Sequence, residues 1–166
     1  MRAGDLDAYR NDDLIVGVRW LGTLDTASRP ECRIRDGLIY SKAPSHAPIN
    51  HEVPWLGGPG HIHARCRCIG LPVMRTWREL GIDLPELLPG TRASMTGPVS
   101  AALTYGEWIA AQADEIQRKA LGDERATLMR VGGLAFYQLY DASGTYLSID
   151  RLRTLFPVAF AICGMR

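Results

Sequence analysis

The stretch His63-Ala64-Arg65-Cys66-Arg67-Cys68 decides how the middle of this 166-residue chain can fold. A turn from His63 to Cys66 and an extended step to Cys68 would aim an imidazole and two thiols at one point, because alternate residues of an extended chain share a face. Cys32, upstream in Pro30-Glu31-Cys32, can supply a fourth ligand. Cysteine and histidine are the residues that form closed tetrahedral zinc sites. We therefore predict a bound Zn²⁺ at Cys32, His63, Cys66 and Cys68.

Other interpretations of these residues compete with the metal site. A Cys-x-Cys pair is weaker evidence than two Cys-x-x-Cys pairs, so the two thiols could be ordinary buried side chains. His61 competes with His63 for the ligand position, since both would face the same side of an extended segment. His46 and His51 lie farther upstream, in a loop, and we expect solvent rather than metal around them.

The spacing favours a structural over a catalytic metal ion. A catalytic zinc keeps an open coordination position, usually with a glutamate nearby as a base. Glu52 is the nearest acidic residue before His61, and no HExxH or HxE…PCxxC spacing surrounds it. Four protein ligands would instead close the site and stabilise the fold directly.

The composition argues against a membrane-spanning protein and excludes few other protein classes. The chain is 46% hydrophobic and 22% charged, with a formal net charge of +1, all of which is ordinary for a globular protein. No apolar run reaches the roughly 20 residues that a bilayer requires. The acidic N-terminus lacks a leader pattern, so we expect a reducing cytoplasm, where clustered cysteines bind metals more often than they form disulfides.

The first two thirds of the chain predict a small antiparallel sheet. Short β-branched or apolar runs indicate strands at residues 14–21, 37–41 and 66–73. Prolines and glycines make residues 41–62 a long irregular loop, which the metal would tether. Residues 1–13 are polar and are expected to be mobile. Residues 74–103 are predicted to be an internal connector with a helical patch near 75–80.

The last third predicts helices. Thr104 and Glu107 form a capping box, and apolar residues at helical spacing extend the helix over 105–121, with Gly122 as its C-terminal cap. Further helices are expected over 124–131 and 148–155, with a turn over 134–140 between them. The whole chain, 1–166, is thus predicted to be one α+β domain in which a small antiparallel sheet with a zinc-tethered loop packs against several C-terminal helices.

Five arginines accompany the predicted metal ligands. Each lies within three residues of a ligand: Arg29, Arg33, Arg35, Arg65 and Arg67. If the metal site assembles, they could converge into a positive surface that contacts DNA phosphates or an acidic protein face. The alternative is a solvated polar surface with local carboxylate partners such as Glu31 and Asp36.

The order of several sequence motifs along the chain resembles that of a known protein family. The residues that carry it are Arg19-Trp20-Leu21-Gly22-Thr23-Leu24-Asp25, Pro30-Glu31-Cys32, Asp36-Gly37-Leu38-Ile39-Tyr40, His63 to Cys68, and Tyr105-Gly106-Glu107-Trp108 with Leu121, Gly122, Arg125, Gly133, Leu139, Asp141, Gly144 and Leu147. They are similar to the phage Mu protein F-like minor head (head morphogenesis) proteins, over about residues 18–153. Arg29 stands where many members carry the first cysteine of a C-P-x-C pair.

The resemblance implies a function, a location and partners. It implies a non-enzymatic minor head protein of a tailed phage or prophage, which acts in head assembly, portal-proximal organisation or genome delivery. Such a protein would be made in the host cytoplasm and enter the virion, in the capsid or head-neck region. Its partners would be the portal or major capsid protein and packaged DNA, with no membrane. Members usually carry a long helical segment ahead of this domain, so we expect a separate chain or the capsid lattice to take over its anchoring role here.

Two other classes remain as alternatives. Domains of this family also occur fused to toxin modules, so the chain could be a phage-borne effector enzyme, such as a nuclease or an ADP-ribosyltransferase-like toxin. Glu107 and Glu124 are the acids considered for that role, but their positions at helix starts already account for them. A zinc-bound DNA-binding module would need more clustered cations than the sequence offers.

Overall fold

A small antiparallel sheet forms the first half of the fold in the computed structural model, which describes residues 7–165. Its strands are β1 (Ile15–Leu21), β2 (Ile39–Tyr40), β3 (Pro48–Ile49) and β4 (Ile69–Met74), in the order β3-β2-β1-β4. Val18 pairs with Tyr40 on one side of β1, and Trp20 pairs with Gly70 on the other. The predicted sheet is therefore present. Of the predicted mobile segment 1–13, residues 1–6 lie outside the described part, and Asp7–Tyr9 form a 3₁₀ turn.

The long loop contributes more than was expected of it. Residues 41–62 were predicted to be irregular throughout, but Pro48–Ile49 pairs with β2 as the fourth strand. The reversal between the two strands is closed by Ser41, whose N–H donates to Ala47 O (2.8 Å) and whose Oγ accepts from Ala47 N (2.8 Å). These hydrogen bonds hold the chain in register for the short pairing. The strand predicted over 66–73 begins only at Ile69. Cys66 to Cys68 precede it and do not pair with β1.

The segment 74–103, predicted to be a connector, contains a β-hairpin. Its strands are β5 (Thr91–Ser94) and β6 (Gly97–Ser100), and the helical patch expected near 75–80 is a series of turns. Arg92 of β5 reaches back to the sheet and donates to both carboxylate oxygens of Asp36, at 3.0 Å each. It also donates to Gly22 O and Leu103 O. The hairpin is therefore attached to the interior by the buried Arg92 side chain and by the hydrogen bond from Met95 N to Leu24 O (2.9 Å).

Helices occupy the C-terminal part, as predicted, with one interruption. After the short α1 (Pro30–Arg33), the helices are α2 (Tyr105–Ala110), α3 (Asp114–Leu121), α4 (Asp123–Arg130), α5 (Ile149–Leu155) and α6 (Pro157–Ile162), with a 3₁₀ turn at Phe136–Leu139. The Thr104/Glu107 capping box is confirmed, and Gly122 ends α3 at φ +83°. The single helix predicted over 105–121 is instead two helices.

The interruption between α2 and α3 has a side-chain cause. Buried Gln117 donates its amide N–H groups to Ile109 O (3.1 Å), Ala110 O (3.2 Å) and Gln112 O (3.1 Å). Ile109 O also accepts from Gln112 N (3.2 Å), so the side chain serves mainly Ala110 O and Gln112 O, at the end of α2. The amide of one side chain thus replaces a turn of backbone hydrogen bonds, which an apolar periodicity cannot reveal.

Two apolar clusters hold the molecule together. The larger joins the helices around Tyr105, Trp108, Leu128 and Leu152. The smaller comprises Trp20, Cys32, Tyr40 and Cys68, with Trp55 and Cys66 packed against it. The three cysteines predicted as metal ligands therefore belong to the second cluster. Among residues 7–165, no helix has the length and apolar character that crossing a bilayer demands.

Candidate metal centre

The fold brings Cys32, His63 and Cys66 to one place. Cys32 lies in α1, which begins at Pro30, a residue suited to the first turn of a helix. His63 and Cys66 lie on one turn, closed by a hydrogen bond from Cys66 N to His63 O (3.2 Å), with Arg65 at φ +60°. One ligand atom from each of the three residues lies within 4.8 Å of the other two. The group could hold a metal ion.

The distances can be compared with those of a zinc site. Zn–S bonds of about 2.3 Å at tetrahedral angles place two sulfurs about 3.8 Å apart. The Sγ atoms of Cys32 and Cys66 are 3.8 Å apart. Cys32 Sγ and His63 Nε2 are 2.9 Å apart, the distance of a hydrogen bond. A zinc ion would replace that proton and open the distance to about 3.6 Å. The required shift is well under 1 Å.

His63 presents the correct nitrogen for a metal. Its Nδ1 lies 2.8 Å from Ala64 O, where only an N–H donor fits. This contact fixes the tautomer and leaves the Nε2 lone pair directed at Cys32. Metal-binding histidines commonly donate their second ring nitrogen to a carbonyl in this way. His61, the alternative ligand, is exposed and is not in the group. The structure thus distinguishes two histidines that the sequence could not.

Cys68 lies beside the group as a buried thiol. Interactions with Cys32, and to a smaller extent with Trp20 and Cys66, lower the pKa of Cys68 to about 7 against the opposing effect of burial. The interaction with Cys68 and burial raise the pKa of Cys32. The alternation predicted for this segment is present, since Arg67 is exposed between half-buried Cys66 and buried Cys68.

Trp55, which the sequence did not single out, joins Trp20 and Tyr40 in a group of aromatic side chains beside these thiols. Trp20 makes edge contacts with Trp55 (centroids 5.5 Å apart) and packs on Tyr40 (6.0 Å). Trp55 comes from the long loop, and His46 stacks on it at 4.3 Å. At Gly58, φ is +96° and an added Cβ would lie 2.6 Å from the Trp55 ring. The loop is therefore anchored by Trp55 in its middle as well as by His63 at its end.

The predicted surface of five arginines is wrong for two of them. Arg33 and Arg35 are 5% and 0% exposed. Arg33 donates to Ala120 O (2.7 Å) and Thr26 O (3.1 Å), on the helical side of α1. The guanidinium groups of both residues donate to backbone carbonyls of distant segments, a use that residue type alone does not indicate.

The other three arginines are exposed, but two have acidic partners. Arg67 forms a bidentate pair with Asp25, at 2.6 and 3.1 Å, and Arg29 lies 3.8 Å from Glu31. Together with Arg65 they line a cleft of about 480 Å³ beside Cys32 and His63. Asp36, the other acid expected to pair with an arginine of this set, pairs with Arg92. The local positive charge is thus largely compensated.

A second cavity, of about 650 Å³, lies between Leu38, Phe136 and Met129. Its acidic residues already have roles in the fold. Asp36 is paired with Arg92, and Glu107 accepts from Thr104 N and Oγ1 at 2.8 Å each. The interaction with Thr104 lowers the pKa of the Glu107 carboxyl. These acids act in packing and capping, as the sequence predicted for Glu107.

Comparison with known proteins adds no relative, since the chain matches no protein-family model, no curated protein and no solved structure.

Proposed function

We propose that this chain is a non-enzymatic, metal-stabilised structural protein of a tailed-phage or prophage head. The observation that carries the proposal is that the marks of the family resemblance converge. Trp20, Cys32 and Tyr40 form one buried cluster with Cys68, and Asp36 is buried beside Cys68, close enough to act on its charge. Trp20 and Cys68 are almost fifty positions apart in sequence, and their packing with Cys32 and Tyr40 is what a shared architecture with the minor head proteins would require.

The metal that the site would hold is Zn²⁺, in a structural role. Its ligands would be Cys32, His63 and Cys66, with Cys68 as the fourth. Thiolate and imidazole ligands are suited to zinc. Four protein ligands leave no coordination position for a substrate. The ion would join α1, the end of the long loop and the residues that precede β4.

Surface contacts with other head proteins would be made by the segment 80–88. Leu87 and Leu88 are 84% and 90% exposed, and Ile82 and Leu84 beside them are exposed as well. Adjacent exposed leucines outside any helix or strand are typical of interaction sites. In this proposal the partner is the portal or the major capsid protein, and any contact with packaged DNA is secondary, because the arginines near the metal are largely compensated.

The proposal is tested by the protein content of purified heads. The wild-type chain is expected in the particles, whereas Leu87→Asp with Leu88→Asp should leave it folded and remove it from them. Val158→Asp is the matched control, since Val158 is also exposed (70%) but lies on α6. A chain that is absent from particles and toxic when expressed alone would overturn the structural role in favour of the effector enzyme.

A further inference from the structure

The four-stranded sheet has a second apolar face, on the side away from its buried aromatic residues. Val18, Trp20 and Tyr40 fill the inner face and are at most 1% exposed. Alternate residues of a strand point to opposite faces, so the residues between them and their cross-strand partners lie on the other side. This outer sheet face is formed mainly by Arg19, Leu21, Ile39, Ile69, Leu71 and Val73.

The outer sheet face lies outside the two apolar clusters formed by residues 7–165. Ile69 and Leu71, on the edge strand β4, are each 38% exposed. The surface continues across β1 to β2 and β3, where side-chain carbons of Ile39 and Ile49 lie 3.2 and 3.5 Å from the position that a Cβ on Gly17 would take. A continuous apolar surface of this kind is typical of an interaction site.

The sequences of β1 and β4 are those of strands covered on both faces. An antiparallel sheet with one face in solvent alternates apolar and polar residues. In contrast, β4 has no polar side chain, and Arg19 is the only polar residue of β1. Addition of another strand to the edge is disfavoured, because Pro72 of β4 has no N–H to donate. We therefore expect the face of the sheet, rather than its edge, to be covered.

Arg19 indicates the chemistry of what covers this face. It is the one charged member of the outer sheet face, between Ile39 of β2 and Leu71 of β4. It is half-buried, its Nε is enclosed without an acceptor, and its side chain has no hydrogen bond or carboxylate partner within residues 7–165. Arg67 and Arg92, in contrast, each pair with an aspartate. Covering Arg19 without an anion would be unfavourable, so the covering element should supply a carboxylate.

A second copy of the chain does not supply that carboxylate through the same face. Symmetric dimers bring identical surfaces together. Two outer sheet faces packed on each other would enclose two copies of Arg19 and no acidic residue. Besides a second sheet, the element that covers an apolar sheet face is a helix. The occupant that fits both the shape and the charge is therefore a helix with an acidic residue on its apolar side.

We propose that the outer sheet face is the docking surface for an acidic amphipathic helix of a different chain, whose carboxylate pairs with Arg19 inside the apolar contact. The helix would present apolar residues at positions i, i+3, i+4 and i+7 to β1 and β4, with Asp or Glu within that stripe. This surface lies outside the segment 80–88, so the inference goes beyond the proposed head contact and holds for the purified chain.

The test measures the binding of two synthetic peptides to the full chain by fluorescence anisotropy. Each peptide is about 18 residues long, enough for an isolated helix, with a leucine stripe on a background of alanine and lysine. The probe has Glu in the middle of the stripe, and its matched peptide has Gln there. The Glu peptide should bind about tenfold more tightly, a difference of 1.4 kcal/mol. This comparison uses the wild-type chain and needs no variant that could fail to fold.

Variants of the chain assign the difference to Arg19. In Arg19→Gln the two peptides should bind equally, whereas Arg19→Lys should still prefer the Glu peptide. Leu71→Asp should remove the binding of both, because it breaks the apolar surface and places a carboxylate beside Arg19. Arg78→Gln is the matched control, since Arg78 is an exposed arginine outside the sheet, and should bind both peptides like the wild type.

Several outcomes would overturn the inference. They are failure of the wild-type chain to bind either peptide, equal binding of the two peptides, and an unchanged preference in Arg19→Gln. Sedimentation of the wild-type chain as a dimer that Leu71→Asp converts into a monomer would also overturn it, because a second copy would then be the occupant of the face.

Discussion

Cys32 Sγ lies 2.9 Å from His63 Nε2, across 31 positions of sequence. This contact closes the segment that contains β2, β3 and the long loop into a ring through one non-covalent side-chain interaction. Closing a loop of this length costs conformational entropy, which a hydrogen bond worth about 1 kcal/mol offsets only in part. A metal ion at the same point would supply a much stronger closure, so the stability of the loop is expected to depend on it.

Removal of the metal should therefore lower stability. We expect one zinc per chain, and a protein that binds it with free zinc 1,000-fold above the dissociation constant gains about 4 kcal/mol. Cys66→Ser should lose the ion and that stabilisation. Cys163→Ser is the control, because Cys163 packs against the other apolar cluster. Elemental analysis and thermal unfolding of reduced protein, purified without a His-tag, provide the measurement. Full stability and folding of Cys66→Ser with no zinc in the wild type would contradict the prediction.

The pair of Arg92 and Asp36 should be the costliest ion pair to break. Their side chains are 7% and 0% exposed, so removing one partner leaves a buried charge. Burial raises the pKa of Asp36 despite the opposing hydrogen bonds from Arg92. Arg92→Met should reduce the free energy of unfolding by about 3–5 kcal/mol in urea titrations. Arg118→Met is the control, with exposed partners and an expected loss below about 1 kcal/mol. Similar losses in both variants would refute the assignment.

The capping box predicts a specific dependence on pH. Hydrogen bonds from Thr104 lower the pKa of Glu107 from its ordinary value near 4.5. A group with a lowered pKa in the folded state adds stability above its unfolded pKa and loses it as the pH falls through the folded value. Thr104→Ala should cost about 1 kcal/mol at pH 7. The gap between wild type and Glu107→Gln should close below about pH 4. A gap that is constant from pH 7 to pH 3 would contradict this account.

The sequence could predict elements whose signals are local. The β-branched run of β1, the Thr104/Glu107 box and the Gly122 cap each depend on a few adjacent residues, and all are present. It could also predict that Cys32, His63 and Cys66 meet, since their chemistry has few other uses. It could not predict Arg33 and Arg35 in the interior, because arginine is normally exposed and their backbone acceptors come from distant segments.

The sequence alone could not decide whether His61 or His63 is the metal ligand, for a similar reason. Both residues have the spacing of a ligand, and the decision depends on the turn that ends at Cys66 and on the carbonyl of Ala64. The hairpin of β5 and β6 was missed because its strands are short and polar, and its attachment depends on contacts between distant residues, such as Arg92 with Asp36 and Met95 N with Leu24 O. Tertiary hydrogen bonds decided each of these features.

Gln117 provides the last prediction, since its side chain sustains the break between α2 and α3. Gln117→Leu preserves the size and the helical propensity but leaves the carbonyls of Ala110 and Gln112 without their side-chain donor. An unsatisfied buried acceptor costs about 1–3 kcal/mol, so the free energy of unfolding should fall by that amount. Amide exchange should also accelerate around residues 111–113. Gln112→Ala, which removes one partly buried hydrogen bond to Trp108 O, is the control and should have a smaller effect. If Gln117→Leu is as stable as wild type, α2 and α3 can join into the single helix that the periodicity predicts, and the amide is not the cause of the break.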